Sequence, residues 1–445
     1  MLKAVILIGG PQKDTPKPLF PIAGLPLIQH HIKACVKLVE CKEILIIGSY
    51  TINHMAQFVS DMQKEYQIII RYLQEFTPLG TAGCLYHFRD QIRAGNTSSF
   101  FLLNGDVCAD FPLQELWIFH EKRGPNALIT IMGTEATRQQ SVHYGCMAIE
   151  PTSKAVTHYV EKPNSYVSTL ISCGVYVCSV HVFNIMAKVF EEKDNCYYST
   201  NGVSSPQPGY MSWEQDILAP LAGTTKLYAM QVTNWWSQVK TPGSAIYANR
   251  HYLELYRKRD AQNAPTANCK IIPDVYIHPT AEIDSSAVIG PNVSIGAGVK
   301  IMAGVRIKES IILSNARIHD HALIMHSIVG QDATVGEWSR VEGTPSDPDP
   351  NKPFAKMDNT PLFNVDGRLN PSITILGSLC NVVSLIDELR NEGFRRRTRV
   401  TNTAHGSIKK VEVGNGRATS LVDLRKKGSR RAIMNWTLQH GATSL

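Results

Sequence analysis

The sequence predicts an α/β chain in which a doubly wound domain is followed by a parallel β-helix. Three observations carry this. Apolar strand-like runs alternate with amphipathic helical ones through the first half of the chain. Glycines and acids punctuate the carboxyl ends of those runs. From Val275 onward, aliphatic residues recur every six positions, the rhythm of coils that each stack three short strands on the next.

The strand-like runs fall at 4–8, 43–47, 68–72 and 100–103, with helical patterns at 26–39 and 54–66 between them. In a doubly wound sheet, ligands sit beyond the carboxyl ends of the parallel strands, so the segments that leave those ends are the candidate site. The first run ends in Gly9-Gly10, either the entrance to a phosphate-binding turn or a plain strand-to-helix turn. Only Pro11-Gln12-Lys13-Asp14-Thr15 separate it from Pro16-Lys17-Pro18-Leu19-Phe20-Pro21. Leu79-Gly80-Thr81-Ala82-Gly83 places two glycines and a threonine at a turn into a helix, where backbone can approach a flat ligand closely.

Phe100-Phe101-Leu102-Leu103-Asn104-Gly105-Asp106 ends an apolar strand in one acid. A carboxylate there suits Mg²⁺ bridging to phosphates, or alternatively caps a turn. Glu161-Lys162-Pro163 offers a mobile point charge for a phosphoryl group; the plainer reading is a solvated ion pair. It is preceded by Tyr144-Gly145-Cys146 and followed by Ile171-Ser172-Cys173-Gly174-Val175-Tyr176. The last landmark is Asn234-Trp235-Trp236-Ser237-Gln238-Val239-Lys240.

In the repeat region Val275, Ala281, Ala287, Val293, Val299, Val305 and Ile311 keep a six-residue period, and Ile277, Ile283, Ile289, Ile295, Ile301 and Ile307 run beside them. The phase slips after Leu313, and Ile318, Ile324, Val329, Val335 and Val341 continue the theme. His319, His321 and His326 would suit the base of a hexapeptide acyltransferase, but read more simply as turn or coil-surface residues. Gly343 to Asn351 forms a polar insertion, either a solvent loop or a partner-contacting arm. The expected domains are therefore 1–250, a linker at 251–270, the β-helix at 271–377 and a tail at 378–445.

Composition narrows the classes of function. The formal charge is +7, but residues 378–445 hold 13 Lys and Arg against 5 Asp and Glu, which leaves 32 against 33 for residues 1–377. The body is neutral and the tail basic; lacking interleaved aromatics, that tail reads as disordered rather than as a nucleic-acid module. No apolar run of about 18 residues suggests a membrane span, and no cleavable leader is evident. The ten cysteines are scattered without a C-x-x-C pair, which fits reduced thiols and a cytoplasmic setting.

Taken together, the N-terminal segments resemble the sugar-1-phosphate nucleotidyltransferases, whose signature runs strand, G-x-G-T-R-x-x-P, then P-K-P-L. The resemblance implies a Rossmann-like nucleotidyltransferase domain. It implies nucleotide-sugar contacts from Gly9, Gly10, Lys17, Leu79, Gly80, Thr81, Gly83, Asn104, Asp106, Gly145, Glu161, Lys162, Ser172 and Gly174. Asp106 would be a Mg²⁺ ligand, and Ser172 stands where asparagine is common. Active members carry W-x-D-I-G with the second metal carboxylate; here Gln238 takes that position. A neutral amide lacks the charge a hard cation needs, so Mg²⁺ is expected to bind weakly. The five-residue bridge 11–15 also lacks the signature's arginine, which would stabilise a phosphoryl-transfer transition state.

A nucleotidyltransferase domain joined to a left-handed hexapeptide helix is similar to the plan of the GDP-mannose pyrophosphorylases, also called mannose-1-phosphate guanylyltransferases. Pro16 to Pro21, Arg71-Tyr72-Leu73-Gln74-Glu75-Phe76, Leu85-Tyr86-His87-Phe88-Arg89-Asp90-Gln91, Trp236-Ser237-Gln238 and Val341 to Pro348 resemble their alpha, regulatory chains over residues 1–377. That resemblance implies no confident catalytic residue, little or no catalysis, binding of GDP-mannose as a feedback signal and association with a catalytic beta subunit. Exposed coil ends suggest self-association as well. The short bridge after Gly10 and the basic tail depart from the alpha pattern. Two alternatives remain: an active guanylyltransferase whose metal site is completed by another acid such as Asp216, and a non-catalytic assembly subunit like those of the translation initiation exchange factor.

Overall fold

The computed structural model describes residues 2–9, 16–199, 209–259, 268–343 and 373–382, together with the backbone of 398–401 and 410–413. Gly10, the bridge 11–15, positions 344–351 of the polar insertion and most of the basic tail lie outside the described residues. Backbone contacts divide the chain into two units, one of residues 1–20 and 26–238, the other of 21–25 and 239–445.

The first unit is built on a nine-stranded mixed sheet. The strand Leu2–Ile8 lies between Cys41–Gly48 and Ser99–Asn104, parallel to both, and Ile69–Gln74 extends that parallel half. Each coincides with a sequence expectation to within two or three residues. Leu170–Ser179 then runs antiparallel to Ser99–Asn104, and Ile129–Glu135, Gly145–Ile149, Val156–Glu161 and Leu227–Gln231 complete the sheet.

These central strands are apolar on both sides because both faces are covered. Ala4, Ile6, Ile44 and Ile46 pack with Ile28, Ile32, Met55 and Val59 of the helices Leu27–Val36 and Ile52–Tyr66. The alternate residues Val5, Leu45 and Ile47 pack with Ala82 and Leu85 of the helix Gly80–His87 and with Val182 and Met186 of Val182–Ser199. Successive side chains of a strand point to opposite faces, so one strand serves two cores. The parallel strands all end at one edge, where Gly9, Gly48 and Asn104 stand.

The second unit is a left-handed β-helix of three parallel sheets. Ala287, Ile289, Val293, Ile295, Val299, Ile301, Val305 and Ile307 form its core, continued by Ile318, Ile324, Val329, Val335 and Val341. Early coils take 18 residues, as in Val275↔Val293 and Glu282↔Lys300; later ones take 17, as in Ile295↔Ile312 and Ile301↔Ile318. The shortening falls between Ile307 and Ile311, at the Lys308-Glu309-Ser310 corner, rather than after Leu313. Ile312, not Ile311, therefore takes the core place above Ile295, and Ile311 sits above Ser294.

His321 and His326 occupy corner positions with φ of 58° and 47°, and His321 stacks on Trp338 with ring centroids 4.3 Å apart. The expected boundary at 250 falls inside the helix Pro242–Arg259, which belongs to the second unit. Its Asn249 side chain is fully buried and accepts from the Ala23 N–H (2.9 Å) and the Ser294 hydroxyl (2.6 Å). Arg250 pairs with Glu309 at 2.9 Å. Strand pairing also runs on past Gly377: Asn381–Val382 lies beside Thr334 and Val335, and Thr398–Thr401 pairs with Arg340 and Val341 and antiparallel with Lys410–Val413.

Candidate functional site

Asp106 leaves the strand Ser99–Asn104 and faces Gln238. The Gln238 Nε2 donates to Asp106 Oδ1 at 3.0 Å and Oδ2 at 2.9 Å, and the Lys17 ammonium stands 3.8 Å from Oδ2. The backbone sets this meeting: Trp236–Gln238 runs antiparallel to Val107–Ala109 with Gln238 opposite Val107. Trp236 is buried and anchored by its Nε1–H on the Cys173 carbonyl at 2.9 Å. Beneath this point His31 is fully buried between the Leu27 and Asn104 carbonyls; burial outweighs them and nearby Asp106 and holds its pKa down at about 4.

A second group forms around Glu161. Tyr159 donates to Glu161 Oε2 at 3.0 Å, and Lys162 Nζ lies 3.1 Å from Oε1. Gly145 is opposite, and a Cβ there would fall 2.1 Å from the Tyr159 oxygen and 2.8 Å from Glu161 Oε2. Glycine at this position is what lets the tyrosine and the acid meet. Nearby, the Ser172 hydroxyl contacts Tyr176 OH at 3.2 Å and accepts from the Gly174 N–H at 3.3 Å. Gly174, at φ 71°, lies against Asn104, whose Nδ2 would be 2.8 Å from an added Cβ.

The Leu79–Gly83 turn is filled by the chain itself. Ala82 and Gly83 both donate to the Met211 carbonyl, at 3.0 and 3.2 Å, and Met211 N–H returns a bond to Leu79 at 2.9 Å. Leu79 N–H is held by Glu75 Oε1 at 2.7 Å. Thr81 receives the Trp213 N–H at 2.8 Å and donates to Glu214 Oε2 at 3.1 Å, which Ser212 also reaches at 3.1 Å. Burial, then the neighbouring Glu161 charge, raises the Glu214 pKa. The turn and the Glu161 group thus share one acidic neighbourhood.

The predicted residues fall into clusters: Lys17 with Asp106 and Gln238, Gly145 with Glu161 and Lys162, Asn104 with Gly174 and Ser172, and Leu79, Gly80, Thr81 and Gly83 on the 209–214 segment. Gly9 stands at the exposed end of its strand, its carbonyl 3.5 Å from Tyr50 OH. Sequence reasoning missed Met211, Ser212, Glu214, Tyr159 and His31 as members of the site, whereas Tyr176 lies in the segment 171–176 that it had singled out. Thr81 and Glu214 are 133 positions apart, and no motif links them.

The residues present do not fit Mg²⁺. Both oxygens of Asp106 face an N–H donor, and among the described residues no three of His, Cys, Asp or Glu gather as a metal site. Asp216, the acid that might complete such a site, is bound instead to Lys193 at 2.5 Å and to the Ser212 N–H at 2.7 Å.

Comparison with known proteins shows the family to which these two domains belong. Residues 3–205 match the nucleotidyl transferase family and residues 271–386 the GMPPB C-terminal domain. The mannose-1-phosphate guanylyltransferase regulatory subunit alpha of Drosophila melanogaster is 60% identical over 411 residues, covering 86% of this chain and 94% of that protein. The chain belongs to the mannose-1-phosphate guanylyltransferase alpha-subunit family. Regulatory subunit alpha-B of Danio rerio is 50% identical over 86% of this chain and 93% of its own length, and the alpha subunit of Sus scrofa is 50% identical over 85% and 92%. As an alpha-family member the chain carries both the transferase domain and the β-helix, and among its described residues no helix is long and apolar enough to cross a membrane.

Proposed function

We propose that this chain is a cytoplasmic regulatory subunit that binds GDP-mannose and through it controls a catalytic beta subunit, with little or no catalysis of its own. The observation that carries this reading is the pairing of Gln238 with Asp106. The chain keeps Glu161, Lys162, Gly145 and Ser172 for a sugar, while Asp106, the acid that follows Ser99–Asn104, is tied to an amide. Guanylyl transfer from GTP to mannose 1-phosphate develops negative charge on phosphoryl oxygens, and its usual stabilisers are backbone N–H groups, an arginine and a metal. The bridge 11–15 has no arginine, and the acid is engaged. Recognition of a finished nucleotide sugar asks only for hydrogen bonds and lysine charges, which remain.

The relatives' name as regulatory subunits supports a catalytic partner, and the stacked coils offer a surface for one and for self-association. Calorimetric titration of the purified chain with GDP-mannose, beside a turnover assay with GTP and mannose 1-phosphate, tests the proposal. Binding without synthesis is expected, as is co-purification with the catalytic subunit. Synthesis by the chain alone at the rate of a working relative would overturn it, and so would absence of any GDP-mannose binding. An active enzyme completed by Asp216 has no support here, because that carboxylate is held by Lys193.

A further inference from the structure

The Gln238 amide occupies the face of Asp106 that a cation would use. Its nitrogen lies nearly equidistant from the two carboxylate oxygens, at 3.0 and 2.9 Å. The orientation is chemically fixed, because two acceptor oxygens face it and only the NH₂ end of the amide can donate. A cation that took up these two oxygens from the same side would have to displace that nitrogen, because the N–H donor and the metal draw on the same lone pairs.

Nor is Gln238 free to withdraw at low cost. Its strand is registered against Val107–Ala109, Ser237 beside it is fully buried, and Trp236 is pinned to the Cys173 carbonyl. With Lys17 3.8 Å from Oδ2, Asp106 has both a donor and a positive charge supplied by the chain.

We propose that Gln238 and Lys17 together replace a divalent cation in holding Asp106, so that this cleft takes its nucleotide sugar without metal. The inference rests on the ligand reading above and adds to it that binding is indifferent to Mg²⁺. An aspartate in place of Gln238 would set two carboxylates face to face, an arrangement that repels unless a cation lies between them.

The test uses the full chain, stripped with EDTA, and Mn²⁺ as the probe, with free Mn²⁺ followed by its paramagnetic resonance signal. The unaltered chain should leave Mn²⁺ free and give the same GDP-mannose isotherm in EDTA and in excess MgCl₂. Gln238→Asp should bind Mn²⁺, melt lower in EDTA and recover with the ion; adding Asp106→Asn should abolish the uptake. Mn²⁺ binding by the unaltered chain that Asp106→Asn removes would overturn the proposal, as would GDP-mannose binding that requires metal. Should Gln238→Asp not fold, the unaltered chain and its Asp106→Asn variant still decide. Absence of GDP-mannose binding in both buffers would sink the ligand reading, and the manganese arm would then decide the role of Gln238 by itself.

Discussion

Lys3 and Glu43 face each other across the neighbouring parallel strands Leu2–Ile8 and Cys41–Gly48, register partners whose charges meet at 2.6 Å while the lysine is 1% exposed. Lys3 also donates to the Gln91 carbonyl at 2.9 Å, and Arg71 closes on Glu43 from the next strand at 2.6 Å. Each charge is costly to bury and is tolerated only because the other is present. Glu43→Ala strands the ammonium and should cost about 3–5 kcal/mol, read as a fall in denaturation midpoint. The double change Lys3→Met, Glu43→Leu should recover most of it. A loss below about 0.5 kcal/mol for Glu43→Ala, the size of an exposed pair, would show that the contact is not structural.

Gly80 combines φ of 76° with close approach, since a Cβ would fall 2.4 Å from the Met211 carbonyl oxygen. That oxygen caps the two helical N–H groups of Ala82 and Gly83. Gly80→Ala should therefore destabilise by about 1–3 kcal/mol and loosen the 209–213 segment, seen as faster amide exchange at Ala82 and Gly83. Unchanged melting and exchange would refute the account.

Gly145→Ala makes a different prediction. Its clash is with the tips of Tyr159 and Glu161, not with backbone, so the fold should persist while the geometry around Glu161 is disturbed. GDP-mannose affinity should drop at least tenfold, about 1.4 kcal/mol, with near-native circular dichroism. Equal loss of fold and affinity would count against a role in the ligand site.

Acid should weaken the first unit through its buried histidines. Burial holds His31 and His120 at about 4, below their ordinary 6.5, so the native state binds fewer protons than the unfolded chain between these values. Stability is then full above 6.5 and lost as pH falls toward 4, by about 2 kcal/mol per histidine near pH 5. Urea unfolding measured across this window checks it, and His120→Leu should make the slope shallower by about one proton. A flat profile would contradict the burial argument.

Local pattern carried the fold further than it carried the site. Runs such as 43–47 are legible because covering both faces demands continuous apolar residues, and Val293 or Ile307 because a coil repeats its inward positions. The sheet's antiparallel half, including Leu170–Ser179, was seen only as motifs, since Ser172 and Gly174 interrupt its apolar run. Gln238 was legible by its place after Trp236; its bond to Asp106 was not, because 132 positions separate them. Glu214 gave no signal at all. Its significance arises only when the sheet brings Thr81 and Glu161 to it.

The β-helix is indifferent to what happens at one of its corners. After Arg340–Glu342 completes one strand, Thr374–Leu376 resumes beside Ser327–Val329 without loss of alignment, although the two strands stand far apart in sequence. Material inserted there leaves every inward position where it was. The stack thus counts its rungs by inward-facing positions and not by chain length, and tolerates an interruption that would break an ordinary repeat.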